Sequence, residues 1–470
     1  MAVLTYFVKS ARYTRRMKEE LTLTKRFRTA LTVALLGILA VESNIVLAAS
    51  YQSTALGWTR TYGGTYDDVA YSIIKTGDSG YALAGRTGSL GVGSSAFWLV
   101  KIDEVGNMQW NRTYERLDRG NQVTLIQTED GGYALAGSGL LVKTNVNGDM
   151  IWNRTYLTEP CNCNVEYVVQ TDDAGYALAG NTRIYGDCDF CLIKTDSEGK
   201  TIWNKTYTKT SEDGVFSLIS TADKGYAMAG YTEGQTGSHP KILLIKTDED
   251  GNSLWNFTFG TGEGHYVAYS VVQTHDGGYA VAGDNSTWIG GSLMTRHCYL
   301  VKVDSIGAYE WNSEYAETSV SRTYSVVQTY DSGFILAGHK AASVTGTQDC
   351  LVVRTNASGA VIWENTYGGE LDDVARSILL TDDEGYVLTG QTRSFGAGDW
   401  DFWLVRTDKN GIVPEYHSPI LLVLFIMATM LVVATLKKKI ASHVENWQFR
   451  VCTCTLEIET FDSRQTLMRY

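Results

Sequence analysis

One phrase of about fifty residues recurs seven times between Trp58 and Lys409, and a chain that repeats itself at this period has few architectures open to it. Its tryptophans fall at Trp58, Trp110, Trp152, Trp203, Trp255, Trp311 and Trp363, spaced by 52, 42, 51, 52, 56 and 52 residues. A glycine closing G-Y-A-L-A-G and its variants keeps step at Gly85, Gly137, Gly180, Gly230, Gly283, Gly338 and Gly390. A unit this short cannot bury its own apolar face and must stack on its neighbours, which leaves propellers and solenoids.

The copy from Asn164 to Tyr207 shows what one unit builds. It holds four runs rich in Val, Ile, Tyr, Thr and Trp, each bounded by Asp/Gly turn chemistry and too short for a helix. We label them strands A to D. The A–B turn (Asp172 to Gly175) and the C–D turn (Asp196 to Gly199) place a carboxylate early and a glycine late, and the glycine is expected to supply the positive φ of a tight hairpin. Four strands seven times over predict an all-β fold, a seven-bladed β-propeller. The first copy begins with strand D alone, Leu56 to Tyr62, and the last ends after strand C at Phe402 to Thr407. The N-terminal strand is therefore expected to complete blade seven and close the ring, removing open sheet edges.

The consensus W-N-x-T-Y-G-G, D-D-x-A-x-S-I, D-x-G-Y-A-L-A-G, F-W-L-V-K-T-D resembles the propeller repeats of bacterial and archaeal cell-surface proteins, most clearly at W-T-R-T-Y-G-G-T-Y-D-D-V-A-Y-S-I and W-E-N-T-Y-G-G-E-L-D-D-V-A-R-S-I. The resemblance covers roughly residues 56 to 411 and implies fold far more than function. D-x-x-G-x-x-x-W, at Asp103–Trp110, Asp196–Trp203 and Asp248–Trp255, also resembles the tryptophan docking motif of quinoprotein propellers with one residue fewer; we read it as blade-to-blade packing and expect no cofactor.

Residues 1–49 read as a secretory signal peptide with a long n-region: Lys25 to Arg28 are basic, Ala30 to Val41 apolar, and Val46-Leu47-Ala48 offers small residues for cleavage. Met17 would give a more ordinary n-region. Residues 50–413 form the expected propeller ectodomain and 414–418 a linker. Pro419 to Leu436 (419–436) is a charge-free apolar run long enough to span a bilayer; Lys437, Lys438 and Lys439 place its C-terminal end, and the tail 437–470, in the cytoplasm. V-P-E-Y before this run resembles the C-terminal anchoring tails of archaeal surface proteins, which carry P-E-F; Tyr416 departs from that motif. Between Ser50 and Ser418 the chain has about 45 acids and 26 bases, so a phosphate backbone finds no basic footprint and nucleic acid is not an expected partner.

Strand direction sorts the loops onto two faces. The A–B and C–D turns are short and nearly alike. The D–A and B–C loops, such as 88–95, 232–239, 285–295 and 341–348, differ in every copy, and binding is expected there. Blade two keeps only Ser138 and Gly139 in this loop. Cys161 and Cys163 share that face with Cys188 and Cys191; the compartment favours two disulfides, while a tetrathiolate zinc site or free thiols are the alternatives. Cys298 and Cys350, at the strand position of Phe97, are expected to be buried; Cys452 and Cys454 are assigned no role. Asn-x-Ser/Thr glycosylation sites occur at Asn111, Asn153, Asn204, Asn256, Asn285 and Asn356, four of them on strand D. Asp67 and Asp68 and their twins Asp372 and Asp373 are candidates for calcium, though two acidic pairs fall short of a full ligand set. The histidines His239, His265, His275, His297, His339 and His417 show no metal-ligand spacing, and no nucleophile or phosphate motif appears, so catalysis is not expected. The leading expectation is a membrane-anchored surface propeller that binds a glycan, envelope component or protein through its loop face. An extracytoplasmic polysaccharide hydrolase or lyase, or a purely structural envelope element, are the alternatives.

Overall fold

The computed structural model describes residues 57–90, 95–116, 122–157, 163–182, 188–207, 212–233, 239–289, 292–316 and 320–413. The chain divides into two units, Met1–Pro414 and Glu415–Tyr470; the second, with the expected spanning run, lies outside the described residues, as do the signal peptide and Cys161. Within them there are 28 strands and no helix. They form seven four-stranded antiparallel sheets, in the order A-B-C-D in six blades. The seventh sheet is Asp373–Leu380, Tyr386–Thr392, Asp401–Thr407 and then Trp58–Tyr62, so the N-terminal strand does close the ring. Trp58 pairs with Arg406 and Tyr62 with Phe402, and the Trp403 indole donates to Thr59 Oγ1 at 3.0 Å.

The core is seven seams between blades rather than one centre. Strands B and C alternate small and large apolar residues: in Y-A-L-A-G one face carries Leu83 and the other Ala82 and Ala84, and each face packs against a different neighbour. The seam between blades seven and one buries Leu83, Trp98, Val100, Phe402 and Leu404, with Trp98 and Phe402 ring centroids 4.4 Å apart. Each fully buried Leu or Phe contributes roughly 1.5–3 kcal/mol.

The repeated tryptophans do one job seven times. Trp58, Trp110, Trp152, Trp203, Trp255, Trp311 and Trp363 on strand D lie against the C–D glycine of the next blade, respectively Gly106, Gly148, Gly199, Gly251, Gly307, Gly359 and Gly411. These glycines have φ between +72° and +83°, and a Cβ there would sit within 2.9 Å of the indole. Four residues after the tryptophan, a tyrosine hydroxyl donates to the same glycine's carbonyl: Tyr62 to Gly106 at 2.6 Å, Tyr156 to Gly199 at 2.7 Å, Tyr315 to Gly359 at 2.9 Å. Phe259 replaces this tyrosine in blade four.

Five of the seven A–B turns depart from expectation, whereas in blades two and five Gly131 and Gly277 supply the positive φ. Positive φ falls one residue before the glycine, on Ser79, Ala174, Lys224, Ser332 and Glu384 (60° to 67°). The glycine is required by crowding instead: a Cβ on Gly80 would meet the Ile102 carbonyl at 2.3 Å and Lys101 Nζ at 2.6 Å. That lysine is one of seven strand-C cations, six of them buried and Arg406 partly so, each paired with the turn aspartate: Lys101–Asp78, Lys143–Asp130, Lys194–Asp173, Lys246–Asp223, Lys302–Asp276, Arg354–Asp331 and Arg406–Asp383, at 2.6–3.0 Å.

The A strands line the axis. In six blades a bulge sits just before a Ser or Tyr, for example between Ala70 and Ser72, and between Thr323 and Ser325. The serine then latches the next blade: the Leu125 N–H donates to Ser72 Oγ, Val271 to Ser217 and Val326 to Ser270, each at 3.2 Å. Blade two is the short one, with A and B strands of Thr124–Gln127 and Tyr133–Gly137. In blade five the expected loop 285–295 is instead a continued hairpin, Ser286 opposite Arg296 and Ile289 opposite Ser292, because its β-rich N-S-T-W-I carries strand pairing outward.

Candidate functional site

A bulge leaves one residue unpaired with the neighbouring strand and re-aims its side chain. Here the bulge residues are Tyr71, Glu166, Phe216, Tyr269, Tyr324 and Arg376, and they face the axis. Five of them form an arc across blades four, five, six, seven and one. Phe216 lies 5.1 Å from Tyr269, Tyr269 lies 5.5 Å from Tyr324, and the Arg376 guanidinium stacks 4.3 Å from Tyr324 and 5.9 Å from Tyr71. Five of the bulge residues, with the serines below them, line an axial cavity of about 160 Å³.

On the loop side of this arc, two residues earlier on strand A, Arg322 reaches over Tyr269 (4.9 Å) and Tyr324 (5.7 Å). Its Nε donates to Asp284 Oδ2 at 2.7 Å, and Arg296 approaches the same oxygen at 3.1 Å. Two guanidiniums thus share one carboxylate oxygen, while Arg376 has no carboxylate partner among the described residues and its Nε is buried without an acceptor. His339 is buried against Tyr324, ring centroids 5.6 Å apart.

The electrostatics follow. Burial, then Arg322, Arg376 and Arg296, push His339 well below its ordinary value, so it is neutral at pH 7 and its Nδ1 lacks a partner. Burial works to raise Tyr324, but Arg376 and Arg322 outweigh it and hold the phenol below the usual tyrosine range. Burial raises Tyr269 and Tyr71, the latter against the pull of Arg86 and Arg376. Burial also lifts Glu166 to about 7, against a 3.0 Å hydrogen bond from Asn164. The channel is a polar, aromatic site with surplus positive charge inside an acidic domain.

The residues singled out from sequence lie elsewhere. Cys163 and Cys191 form a disulfide within blade three, its Cα atoms 6.5 Å apart, and Cys188 is half-buried nearby. With two of the four thiols so joined, these cysteines do not supply a tetrathiolate. Cys298 and Cys350 are fully buried. Asp68 and Asp373 are buried and brace their own loops: Asp68 accepts from the Gly64 N–H at 2.9 Å, and Asp373 from the Gly369 N–H at 2.8 Å and Ser394 Oγ at 2.7 Å. The acid facing Asp68 is Asp401 of strand C in blade seven, and the one facing Asp373 is Asp349 in blade six. Asp67 is exposed, and Asp372 accepts from the Gln348 N–H at 2.8 Å. Among the described residues no group of three His, Cys, Asp or Glu is arranged to hold a metal. Asn111, Asn153, Asn204 and Asn256 are on the outer strand D, Asn204 and Asn256 exposed; Asn285 donates to Glu314 at 3.0 Å, and the exposed Asn356 caps a C–D turn. His239 and His265, 26 residues apart, meet at 3.0 Å on the loop face.

Sequence reasoning missed the channel. Its signal was there: aligned on the D-x-G-Y landmark, the residue before the strand-A serine reads Tyr71, Val123, Glu166, Phe216, Tyr269, Tyr324 and Arg376, varied where the flanking positions repeat.

No family model matches the chain, and no curated protein does. Among solved structures, the polysaccharide lyase Uly1 is similar at 10% identity over 74% of this chain and 93% of its own, with a TM-score of 0.46. The WD40 domain of Neurospora crassa Pan2 matches at 11% over 75% and 95% (0.46), and Penicillium chrysogenum alpha-L-arabinanase at 11% over 76% and 99% (0.42). At these identities the likeness concerns fold alone.

Proposed function

We propose that this protein is an extracytoplasmic recognition propeller, held at a membrane by residues 419–436, that binds a glycan, envelope component or protein through its loop face and the channel opening onto it. The observation that carries this reading is the division of labour among positions. Every blade agrees at the tryptophan, the glycine and the lysine or arginine that pack the ring, and the blades differ in the loops and at the channel bulge. Variation displayed on a rigid scaffold is the usual arrangement of a binding surface. The charge-free run before Lys437 supports the anchor.

The test is binding of the labelled full-length chain, purified in mild detergent, to a glycan array and to isolated envelopes, with calcium and with chelator. Saturable binding that falls when 341–348 is trimmed supports recognition; no binding to either surface overturns it.

A second reading, a lyase, is favoured by one observation: Tyr324, a phenol made more acidic by two arginines, lies against the neutral His339. Such a pair suits proton removal beside a carboxylate held by arginine. A hydrolase is less well served, since the channel acids are Glu166 and an Asp284 already bound by two guanidiniums. Turnover of acidic oligosaccharides to unsaturated products would decide for the lyase.

A further inference from the structure

We propose that the channel takes a carboxylate-bearing sugar residue, its carboxylate set between Arg376 and Arg322 and its ring against the faces of Tyr71, Tyr269 and Tyr324. This rests on the recognition reading and gives it a ligand chemistry.

Three observations converge. The first is uncompensated charge. Arg296 and Arg322 share Asp284, while Arg376 has no carboxylate partner among the described residues and its buried Nε lacks an acceptor. Glu166, lifted to about 7, offers at most a partial countercharge. Buried cations without partners are costly, and an anionic ligand would relieve that cost. Second, the free donors suit a carboxylate. A guanidinium presents a planar fork that matches two carboxylate oxygens, and the Arg376 fork is already aligned by stacking on Tyr324. Third, the walls are flat aromatic rings around a cavity of about 160 Å³, which fits one ring-sized unit.

The setting narrows the ligand further. The ectodomain is strongly acidic, so a densely charged polyanion is repelled from its exterior. The positive charge is confined to the axis, where a low-dielectric funnel focuses it. A single carboxylate on the end of a lightly charged glycan, or on a free sugar acid, meets both conditions.

The full-length chain in detergent would be titrated with glucuronate, glucuronamide, acetate and a trisaccharide ending in glucuronic acid. We expect saturable binding of glucuronate and none of glucuronamide; tighter binding of the trisaccharide assigns the source to a glycan terminus, and equal binding to the free sugar acid. Acetate binding as tightly as glucuronate would overturn the sugar assignment. Arg376→Gln should weaken glucuronate at least about tenfold. Tyrosine absorbance adds a readout that a packing role would not move. A bound carboxylate screens the arginines that favour the phenolate, so glucuronate should shift the earliest tyrosine ionisation to higher pH, and Tyr324→Phe should remove that ionisation. Equal binding of glucuronate and glucuronamide, or an R376Q variant that folds and binds as the parent does, overturns the proposal. If envelopes bind parent and R376Q alike, this inference fails while recognition stands; if envelopes and glycans bind neither, recognition itself fails.

Discussion

The turn face and the axial channel are built from the same four strands, yet they handle charge in opposite ways. At the turn face each of seven strand-C cations has its own aspartate, and that aspartate also accepts a threonine hydroxyl and a glycine N–H, as Asp173 does from Thr171 and Gly175. In the channel Arg296 and Arg322 share Asp284, and His339 and Arg376 keep unpaired buried nitrogens. Apart from Arg406 Nε, the turn-face network is polar and satisfied; the channel is polar and unsatisfied. A fully paired network specifies structure, whereas groups left unpaired in a rigid frame mark a place where a ligand completes the pairing.

The comparison can be broken most severely at the ring closure. Deleting residues 56–62 removes Trp58 and exposes the edge of Asp401–Thr407, and should cost about 5 kcal/mol or more, since a buried tryptophan alone accounts for about 3–5 kcal/mol. Denaturant unfolding should become broad, with loss of a single transition. Next comes Gly199→Val, which forces a β-branched residue into φ +75° and a Cβ within 2.8 Å of Trp152; about 2–4 kcal/mol of destabilisation is expected in the same assay.

Acid tests the satisfied network as a whole. Burial works to raise Asp78, Asp130, Asp173 and Asp276, but hydrogen bonds from threonine, lysine and glycine N–H outweigh it and hold each at about 2. A folded-state value below the ordinary 3.8 means stability that is complete above about pH 4 and is lost as pH falls towards 2. The carboxylates are half-exposed, so each contributes modestly, and the effect is their sum. The thermal midpoint should fall steeply between pH 4 and 2, and in Lys194→Met it should be lower at pH 7 and fall less steeply with acid, because Asp173 has lost a partner that holds it down. The smallest effect is expected in the channel: Arg376→Gln should leave stability within about 0.5 kcal/mol of the parent, or raise it, because it removes an uncompensated cation. A loss there like that of Gly199→Val would show that the channel is packed for structure after all.

Much of this fold was legible because repetition averages away local ambiguity. Seven tryptophans and seven strand-B glycines fixed blade number, strand count and closure by Trp58–Tyr62. The A–B turn misled, since D-x-G reads as a positive-φ glycine, whereas Gly80 answers to a carbonyl and a lysine contributed by strand C. Turn chemistry is local in sequence, but this crowding is not. The hairpin at Ser286–Arg296 was hidden behind polar residues that read as loop. The channel stayed illegible for a further reason: Tyr71, Tyr324 and Arg376 are separated by hundreds of residues or lie in different copies, and only ring geometry makes them neighbours. The cysteines of blade three were brought onto one face by strand direction, and Cys163 and Cys191 are joined there.

Closure of the ring by Trp58–Tyr62 has a consequence in time. The ribosome makes this strand before any other of the domain and its partner, Asp401–Thr407, last; the Thr59–Trp403 hydrogen bond spans 344 residues. Individual blades can form as they emerge, since their contacts are local, but the final seam waits for the whole domain to be made. Until then an unpaired strand edge travels with the nascent chain, and the ring closes only when the oldest segment meets the youngest.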